Sequence, residues 1–420
     1  MAGPYPIRPI TAGEFPEFHD VDGHAFNSTR SSAEADDELR RLELDRTLAA
    51  WDSGRIVGEA AAYSLRMAVP GAVIPVAGVT WVSVLPTHRR RGILRDLMLR
   101  QLADIRDRGE AVAALFASEA VIYGRYGYGP ASVWSNFTFT RGDGALRPDA
   151  PDDETLRLRI ADPDAVRPEL AKVHDAVLAT RPGMFARDDA WWDHRLRYSE
   201  RLGPDASPLR CVLAEDDAGP RGYGLYWGTY TWAGDGLADN ELNIREVMAA
   251  DPAACAAIWR DLLTRDLVSE VRAGNRPPDD PLLHLLADAR RARARSWDGL
   301  WIRLVDVPRA LRQRRYSCPV DVVIEVGDET CPWNAGRWRL RTRGGDPDGG
   351  RAGVAPSCER TGDPPDLQLP VRALGAAYLG GTRLGPLAEA GIVTERRSGA
   401  VAGLSAAMSW DPAPWCPMIF

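Results

Sequence analysis

An α/β (α+β) architecture, mixed sheets flanked by helices, is the fold this 420-residue chain predicts, and three features of its pattern predict it. Strand-like and helix-like stretches alternate through the first third. The same order returns in the middle third. The last third sets a short helix before its strand patterns and closes on helices. At roughly 150 residues per domain the length alone expects two or three cores, and shifts in composition divide the chain into 1–148, 149–303 and 304–420.

The first region starts with a short strand at 7–10 and an amphipathic helix at 13–26, followed by a polar stretch at 28–37 that reads as a loop or helix start. Residues 47–51 and 56–66 are β-prone runs separated by Asp52, Ser53 and Gly54, turn chemistry that joins them as a hairpin. The run 73–84 is rich in β-branched residues with small ones between, as in a strand buried on both faces. From 90 to 108 the apolar residues Ile93, Leu94, Leu97, Met98, Leu102 and Ile105 recur at helical spacing and stop at Gly109, a helix with its end signal. Residues 112–117 make the next buried strand. Asp, Pro and Gly then accumulate over 141–154 and mark the first boundary.

In the middle region 168–178, 188–196 and 252–265 read as helices, and 209–215 and 222–231 as strands. This repeats the earlier order without a residue-level repeat. A basic, helix-prone stretch at 288–295 leads into the third region, with a helix at 308–314, strands at 320–326 and 336–343, and a loop dense in Gly and Asp at 344–353. A short strand at 367–369 and helices at 371–379, 384–390 and 399–410 follow.

Apolar residues at 45% and charged ones at 26% are ordinary for a soluble globular chain. The formal charge of −7 comes from 59 acidic and 52 basic residues interspersed along the chain, which argues against nucleic-acid or polybasic membrane-surface binding. Six cysteines lie far apart, none in CxxC spacing and with no His cluster; this excludes a zinc-site pattern and fits a reduced cytosolic setting. The first ten residues lack the basic start and apolar run of a secretory signal. No segment reaches the roughly 18 unbroken apolar residues of a membrane span. A cytoplasmic protein with no metal, no nucleic acid and no membrane partner is expected.

Residues Arg89, Arg90, Arg91, Gly92, Ile93 and Leu94 sit where a buried strand turns into a helix. Unpaired N–H groups and the macrodipole at such a junction favour an anion; the arginines add forked donors and Gly92 removes a Cβ. Three arginines opening a helix are by themselves more often a solvated face. The buried strand before them, and the amphipathic helix and second buried strand after them, turn the balance toward a phosphate site. In the preceding strand, Val82 and Val84 are candidates to pair with the amides of an extended cofactor arm, by the physics of strand addition.

At this point the chain resembles the GNAT acetyltransferases: Arg89 and Gly92 fit their pyrophosphate motif, with Leu94 in place of the usual small last residue. A closer likeness follows. Residues 86–95, 114–119 and the run Ile122, Tyr123, Gly124, Arg125, Tyr126, Gly127, Tyr128, Gly129 resemble the Eis (enhanced intracellular survival) family of N-acetyltransferases. So do residues 301–307 with Arg315 and Tyr316, residues 374–381 and the close at 415–420. The resemblance implies two tandem GNAT-like domains followed by a sterol-carrier-like α+β domain, assembled as a trimer-based homohexamer. It implies acetyl-CoA as acyl donor, bound by Val82, Ser83, Val84, Arg89, Arg90, Arg91, Gly92, Ile93, Leu94, Arg95, Ser118 and Glu119. The acceptor would be a primary amine of an aminoglycoside, a polyamine or a lysine. Trp81, Phe116 and Ile419 would line its pocket; Phe116 stands where the family is expected to have a histidine, and Ile419 where an acidic residue is expected. Asp20, Asp22 and Glu119 could give that pocket negative charge, although the first two read more readily as surface carboxylates.

An ammonium with a pKa near about 10 must lose a proton before it attacks a thioester, and the departing thiolate must gain one. A phenol suits the second task, and on the residues alone Tyr123, Tyr126 and Tyr128 compete. The resemblance selects Tyr123 as general acid and makes the terminal carboxylate of Phe420 the general base. The tail from 415 to 420 is apolar enough to expect burial. An α-carboxyl pKa of roughly 3.5 would then have to be raised by desolvation or bridged by water. Two alternatives accompany this reading: an acyl-CoA- or lipid-binding protein without turnover, and an N-acyltransferase using longer acyl-CoA. The middle region lacks an arginine and glycine loop and is expected to be structural.

Overall fold

The computed structural model describes residues 4–28, 32–197, 206–342 and 355–420; the loop expected at 344–353 lies outside them. In chain order the first stretch carries β1 (Ile7–Arg8), α1 (Phe15–Phe26), α2 (Ser32–Arg41), β2 (Thr47–Asp52), β3 (Arg55–Val69), β4 (Ala72–Val84), α3 (Ile93–Asp107), β5 (Val112–Phe116), α4 (Ala120–Tyr123) and β6 (Gly129–Pro130). The middle carries β7 (Val133–Thr140), β8 (Arg157–Ala161), α5 (Arg167–Leu178), α6 (Asp189–Leu196), β9 (Arg210–Asp216), β10 (Gly219–Gly228), β11 (Asn240–Ala249), α7 (Pro252–Leu263), β12 (Val268–Arg276), α8 (Leu282–Leu285) and β13 (Arg295–Asp298). The last carries β14 (Leu300–Leu304), α9 (Val307–Arg312), β15 (Val320–Gly327), β16 (Gly336–Thr342), β17 (Ser357–Arg360), β18 (Leu367–Pro370), α10 (Val371–Ala377), α11 (Leu384–Glu389), β19 (Thr394–Glu395) and α12 (Ala400–Met408).

These elements form two compact units. One comprises Met1–Ser132, Leu300–Asp411 and Met418–Phe420. Its first sheet has the order β1-β2-β3-β4-β5-β14-β6, in which β4 and β5 are the parallel pair. The β2–β3 hairpin turns on Ser53 and Gly54, both with positive φ (49° and 82°), the backbone hand that matches strand twist in a two-residue turn. Helix α3 lays Ile93 and Leu97 over Leu48, Ala50, Val57 and Ala60, and Met98, Leu102 and Ile105 over Ala62, Ala77, Val79 and Ala113. Each of these large side chains contributes about 1.5–3 kcal/mol of burial. Helix α1 packs on β3 and β4. A second sheet in this unit, β17-β16-β15-β18-β19, comes from the last stretch of chain, and α10 joins it to the first by packing on β6 and β14.

The other unit comprises Val133–Gly299 and Pro412–Pro417, with sheet order β13-β7-β12-β11-β10-β9-β8 and β11 parallel to β12. Its core gathers Ile258, Trp259 and Leu262 of α7 against Val212, Leu242, Ile244, Phe137 and Phe139. Two sequence expectations change here. The basic stretch at 288–295 is a short 3-10 turn, Ala289–Ala292, closed by Arg293 at φ 43° and followed by β13, which pairs with β7. Strand β7 precedes residue 148 yet pairs in this sheet, whereas β14 begins before residue 304 yet pairs with β5 and β6 of the first.

Candidate active site

Parallel pairing of β4 with β5 is confined to Ala77 opposite Ala113 and Gly78 opposite Ala114. A bulge in β4 accompanies the parting. Ser83 faces Glu59 and Thr80 faces Ala61, so that Trp81 and Val82 together stand opposite the single residue Ala60; an extra residue of this kind bends its strand and ends pairing. Trp81 takes φ +54°, an uncommon backbone state for a bulky residue that persists only where packing enforces it. Its ring lies 5.6–6.1 Å from those of Phe15, Phe18 and His19 on α1. The Ser83 hydroxyl donates to buried Glu59 at 2.9 Å, so Ser83 faces the gap with its main chain alone.

A cavity of about 200 Å³ occupies this parting, lined by Val79, Thr80, Trp81 and Val82 from β4, Leu115 and Phe116 from β5, Ser118 and Tyr123 beyond β5, Asp22 and Phe26 from α1, and Phe420. The Phe420 ring sits 5.2 Å from that of Phe116. A Cβ at Gly78 would stand 3.1 Å from the Phe420 ring and 2.5 Å from Leu65, so the glycine that ends the parallel pairing also admits the tail. The sequence thus places Trp81, Val82, Phe116, Ser118, Tyr123 and Phe420 at one cavity. Ile419 is 47% exposed and outside the lining, and Glu119 is exposed at the start of α4.

Asp22 corrects a sequence expectation: it is 4% exposed and faces the cavity, while Asp20 is exposed. With Phe15, Phe18 and Val21 it belongs to the buried stripe of α1. A carboxylate at the spacing of an apolar stripe was the signal available in the sequence.

Tyr123 is 5% exposed. Burial raises its phenol above the ordinary value, against the opposing effect of a hydrogen bond with Ser118; at neutral pH the group holds its proton. Tyr126 and Tyr128 are buried as well, but neither lines the cavity. Tyr128 lies edge-on to Tyr123 at 6.1 Å.

Following β4, Arg90 at φ +65° and Gly92 at φ +88° bend the chain into α3, whose first helical bond runs from the Asp96 N–H to the Gly92 carbonyl at 3.1 Å. No side chain caps this end, and a Cβ at Gly92 would meet nothing within 4 Å. The glycine therefore answers to its backbone angle, and the space before the helix is open to an anion. Ile93 and Leu94 turn into the apolar clusters beneath α3, leaving main-chain N–H groups as their offer to a phosphate. Arg89 donates to the carbonyls of Ala25 (3.3 Å) and Val84 (3.4 Å), Arg91 to the Tyr5 hydroxyl (3.3 Å) and Arg95 to Asp96 (3.2 Å), while Arg90 is exposed.

An uncapped helix start, a parted parallel pair and a buried tyrosine are the parts of an acyltransferase of the GNAT class, and comparison with known proteins agrees. Acetyltransferase (GNAT) domain models match residues 6–131 and 183–304, and a sterol carrier protein domain model matches 307–417. An uncharacterized N-acetyltransferase of Streptomyces avermitilis is 42% identical over 98% of both chains. N-acetyltransferase Eis of Mycobacterium tuberculosis is 35% identical over 85% of this chain and 84% of its own. The crystal structure of Eis1 from Mycobacterium abscessus superposes with a TM-score of 0.82 at 33% identity, covering 99% of this chain and all of that one. The chain belongs to the Eis family of GNAT N-acetyltransferases: two GNAT domains and a C-terminal sterol-carrier-like domain, with N-acetyltransferase activity. Among the described residues no helix is long and apolar enough to cross a membrane, and no cluster of His, Cys, Asp and Glu could hold a metal.

Proposed function

We propose that the enzyme passes an acetyl group from acetyl-CoA directly to a primary amine within a ternary complex, with Tyr123 as general acid and the terminal carboxylate of Phe420 as general base. The observation that carries this reading is the meeting of Tyr123, Ser118 and Phe420 at one cavity between β4 and β5. The amine nitrogen attacks the thioester carbonyl carbon, a C–N bond forms and the C–S bond breaks. Phe420 receives the amine proton and Tyr123 protonates the departing sulfur. A phenol held protonated by burial suits that donation.

For the donor, Val82, Ser83 and Val84 offer main-chain groups along the unpaired side of β4, and Arg89, Arg90, Arg91, Gly92, Ile93, Leu94 and Arg95 form the anion site at α3. Ser118 and Glu119 flank Tyr123. For the acceptor, the buried carboxylate of Asp22 favours a cation, which supports the amine of an aminoglycoside, a polyamine or a lysine. Trp81 and Phe116 add an apolar wall, while Ile419, exposed and outside the lining, does not reach it. That wall also gives a longer acyl donor a specific basis as the second reading. Family resemblance supports a trimer-based homohexamer in the cytoplasm, with a division of labour among 1–148, 149–303 and 304–420 in which the first region holds the donor and the third brings Phe420 to it.

Incubating the protein with acetyl-, propionyl- and longer acyl-CoA against a panel of aminoglycosides, polyamines and lysine peptides, while following free thiol, tests the reaction. Thiol release that requires an amine and is fastest with acetyl-CoA is expected; no release with any amine would sink the proposal. Deleting Phe420, or adding one glycine after it, should lower kcat with acetyl-CoA affinity nearly kept. Light scattering reports the assembly.

A further inference from the structure

We propose that Asp328 and Thr330, in the sterol-carrier-like domain, are positioning residues for acetyl transfer: through the buried guanidinium of Arg303 and the carbonyl of Tyr126 they hold the loop that carries Tyr123. The inference rests on the reading of Tyr123 as general acid and assigns the third domain a part in that reaction.

Arg303 lies on β14 within the first sheet, fully buried, and a buried charge is costly unless it is paired; its Nε has no hydrogen-bond partner among the described residues, so the pairing falls to its two Nη atoms. Its Nη2 donates to both oxygens of Asp328, at 2.8 and 2.7 Å, and to the Thr330 hydroxyl at 3.0 Å, while its Nη1 donates to the Leu304 carbonyl at 3.1 Å. Asp328 is just as constrained. The Cys331 N–H donates to it at 3.0 Å and the Asn334 side-chain amide at 2.9 Å. The same Asn334 amide group reaches the carbonyls of Leu304 and Val305, and its oxygen accepts from the Val307 N–H. The turn after β15 is thereby tied to the strand that pairs with β5.

The clamp also reaches the Tyr123 loop. Gly127 has φ +83°, and a Cβ there would stand 2.8 Å from the Arg303 guanidinium carbon and 2.8 Å from Val371, so the loop passes directly over the ion pair. The Thr330 hydroxyl has two acceptors within reach of its one proton, the Asp328 carboxylate at 3.1 Å and the Tyr126 carbonyl at 3.4 Å, and so stands between the ion pair and the loop. Inside the loop the Gly127 N–H donates to the Gly124 carbonyl at 3.2 Å and the Tyr128 N–H to the Tyr123 carbonyl at 3.3 Å. Tyr123, Tyr126 and Tyr128 share one apolar cluster with Val305 and Cys331, and Trp333 packs against it. Just past the loop, a Cβ at Gly129 would fall 2.0 Å from the Arg372 carbonyl and one at Gly375 2.2 Å from the Ile302 carbonyl; α10 therefore lies against the loop's exit strand with no room for a methyl group.

Support of this kind is needed because Tyr123 ends the four-residue helix α4, a length that cannot hold itself. Proton donation tolerates little displacement, and a shift of about 1 Å can cost about a hundredfold in rate. What holds the Tyr123 turn in place is its far end, closed by groups from the third domain.

The test uses the full-length enzyme carrying Asp328→Asn, Thr330→Val and Thr330→Ser, each alone and combined with Tyr123→Phe, with melting temperature measured alongside kcat and KM. Expected are a fall in kcat of about tenfold for Asp328→Asn and about threefold for Thr330→Val, with recovery in Thr330→Ser. The KM for acetyl-CoA should stay within about twofold, and neither change should lower kcat further once Tyr123→Phe is present. A Thr330→Val enzyme with undiminished kcat overturns the proposal, as does an Asp328→Asn deficit of equal size in both backgrounds. If Asp328→Asn fails to fold, the Thr330 pair decides alone. A Tyr123→Phe enzyme with undiminished kcat removes the underlying assignment of the acid instead, a separate and recognisable failure.

Discussion

The two GNAT sheets share one device and differ in what surrounds it. In each, a parallel pair closes for a few residues and then parts: β4 and β5 beyond Gly78, β11 and β12 beyond Ile244 and Ala273. In each, the helix after the first strand of the pair begins at the parting. Helix α3 starts at an uncapped glycine with open space before it. Helix α7 starts at Asp251, whose carboxylate accepts from the Ala254 N–H at 3.0 Å, with Pro252 at its first turn. One helix start leaves its N–H groups open to an anion; the other already carries its own. The partings differ in the same sense. The first holds a cavity faced by Tyr123. The second also holds a cavity, of about 280 Å³, but no tyrosine lines it, and Trp415 and Arg276 stand in its wall, the indole donating to the Asn275 carbonyl at 2.6 Å and the guanidinium lying 5.1 Å over the ring. The fold supplies a cleft, and the residues at the helix start and in the parting decide whether it is a site.

The sharpest way to break this contrast is to remove a phenol from each sheet. Tyr123→Phe should lower kcat by about a hundredfold or more. Tyr223, fully buried and donating to Glu246 at 2.6 Å, is part of a structural ion cluster, and Tyr223→Phe should leave kcat unchanged at temperatures where the protein stays folded. Because burial raises the Tyr123 phenol, the kcat profile should show no loss of this acid up to the ordinary phenol range near about pH 10. Equal losses from the two substitutions would erase the distinction between the sheets.

That Glu246 cluster predicts an acid sensitivity that arises around the second sheet. Glu246 accepts two bonds from Arg187 (3.0 and 2.7 Å) and one from Arg195 (2.5 Å), and His174 lies fully buried nearby. Burial, with the Arg187 charge adding to it, pushes His174 down to about 4. Between that value and the unfolded value near 6.5 the unfolded chain binds a proton the native one refuses. Stability therefore falls as pH drops through this window, by about 3 kcal/mol in total. Thermal unfolding from pH 7 to 4 should show a steeper decline in the parent than in His174→Gln; parallel curves would refute the assignment.

These comparisons also show what was readable from residues alone. The α3 start was, because a buried strand, Arg89 to Gly92 and an amphipathic repeat are contiguous. So was Tyr123 as one candidate of three, since the choice among tyrosines depends on which one reaches the cavity. Asp22 was misread because its burial comes from the stripe it shares with Phe15 and Phe18, and a carboxylate in that stripe is first taken for surface. Strand β14 escaped detection for another reason: its pairing with β5 joins residues nearly two hundred apart in sequence, and its buried Arg303 breaks an otherwise apolar run. The same distance hid Asp328 and Thr330.

A smaller change should move one helix start toward the other. Gly92→Asp places a carboxylate where α3 is open, as Asp251 does for α7, at the added cost of a left-handed backbone angle. The KM for acetyl-CoA should rise about tenfold, the loss of one favourable anion contact, with kcat at saturation retained because Tyr123 and Phe420 are untouched. An unchanged KM would mean that the α3 start does not hold the donor's pyrophosphate.

The reverse exchange has the smallest effect and is the most discriminating. Asp251 caps α7 and also binds Arg221 at 2.8 Å, a guanidinium that further engages Asp153 (2.6 Å) and Asp216 (3.2 Å). Asp251→Gly removes one acceptor from a helix start and one of three carboxylates from a partly exposed hub. The expected cost is below about 1 kcal/mol, since glycine is itself tolerated at a helix start and costs only a few tenths there, and Asp153 and Asp216 continue to neutralise Arg221. It should not create a second donor site, because the cavity before α7 keeps Trp415 and Arg276 in its wall and has no tyrosine facing it. Calorimetry with coenzyme A on the parent and on Asp251→Gly should therefore give the same stoichiometry per chain. A second equivalent bound by the variant would show that the cap alone keeps coenzyme A out of the middle domain and that the wall of its parting is secondary.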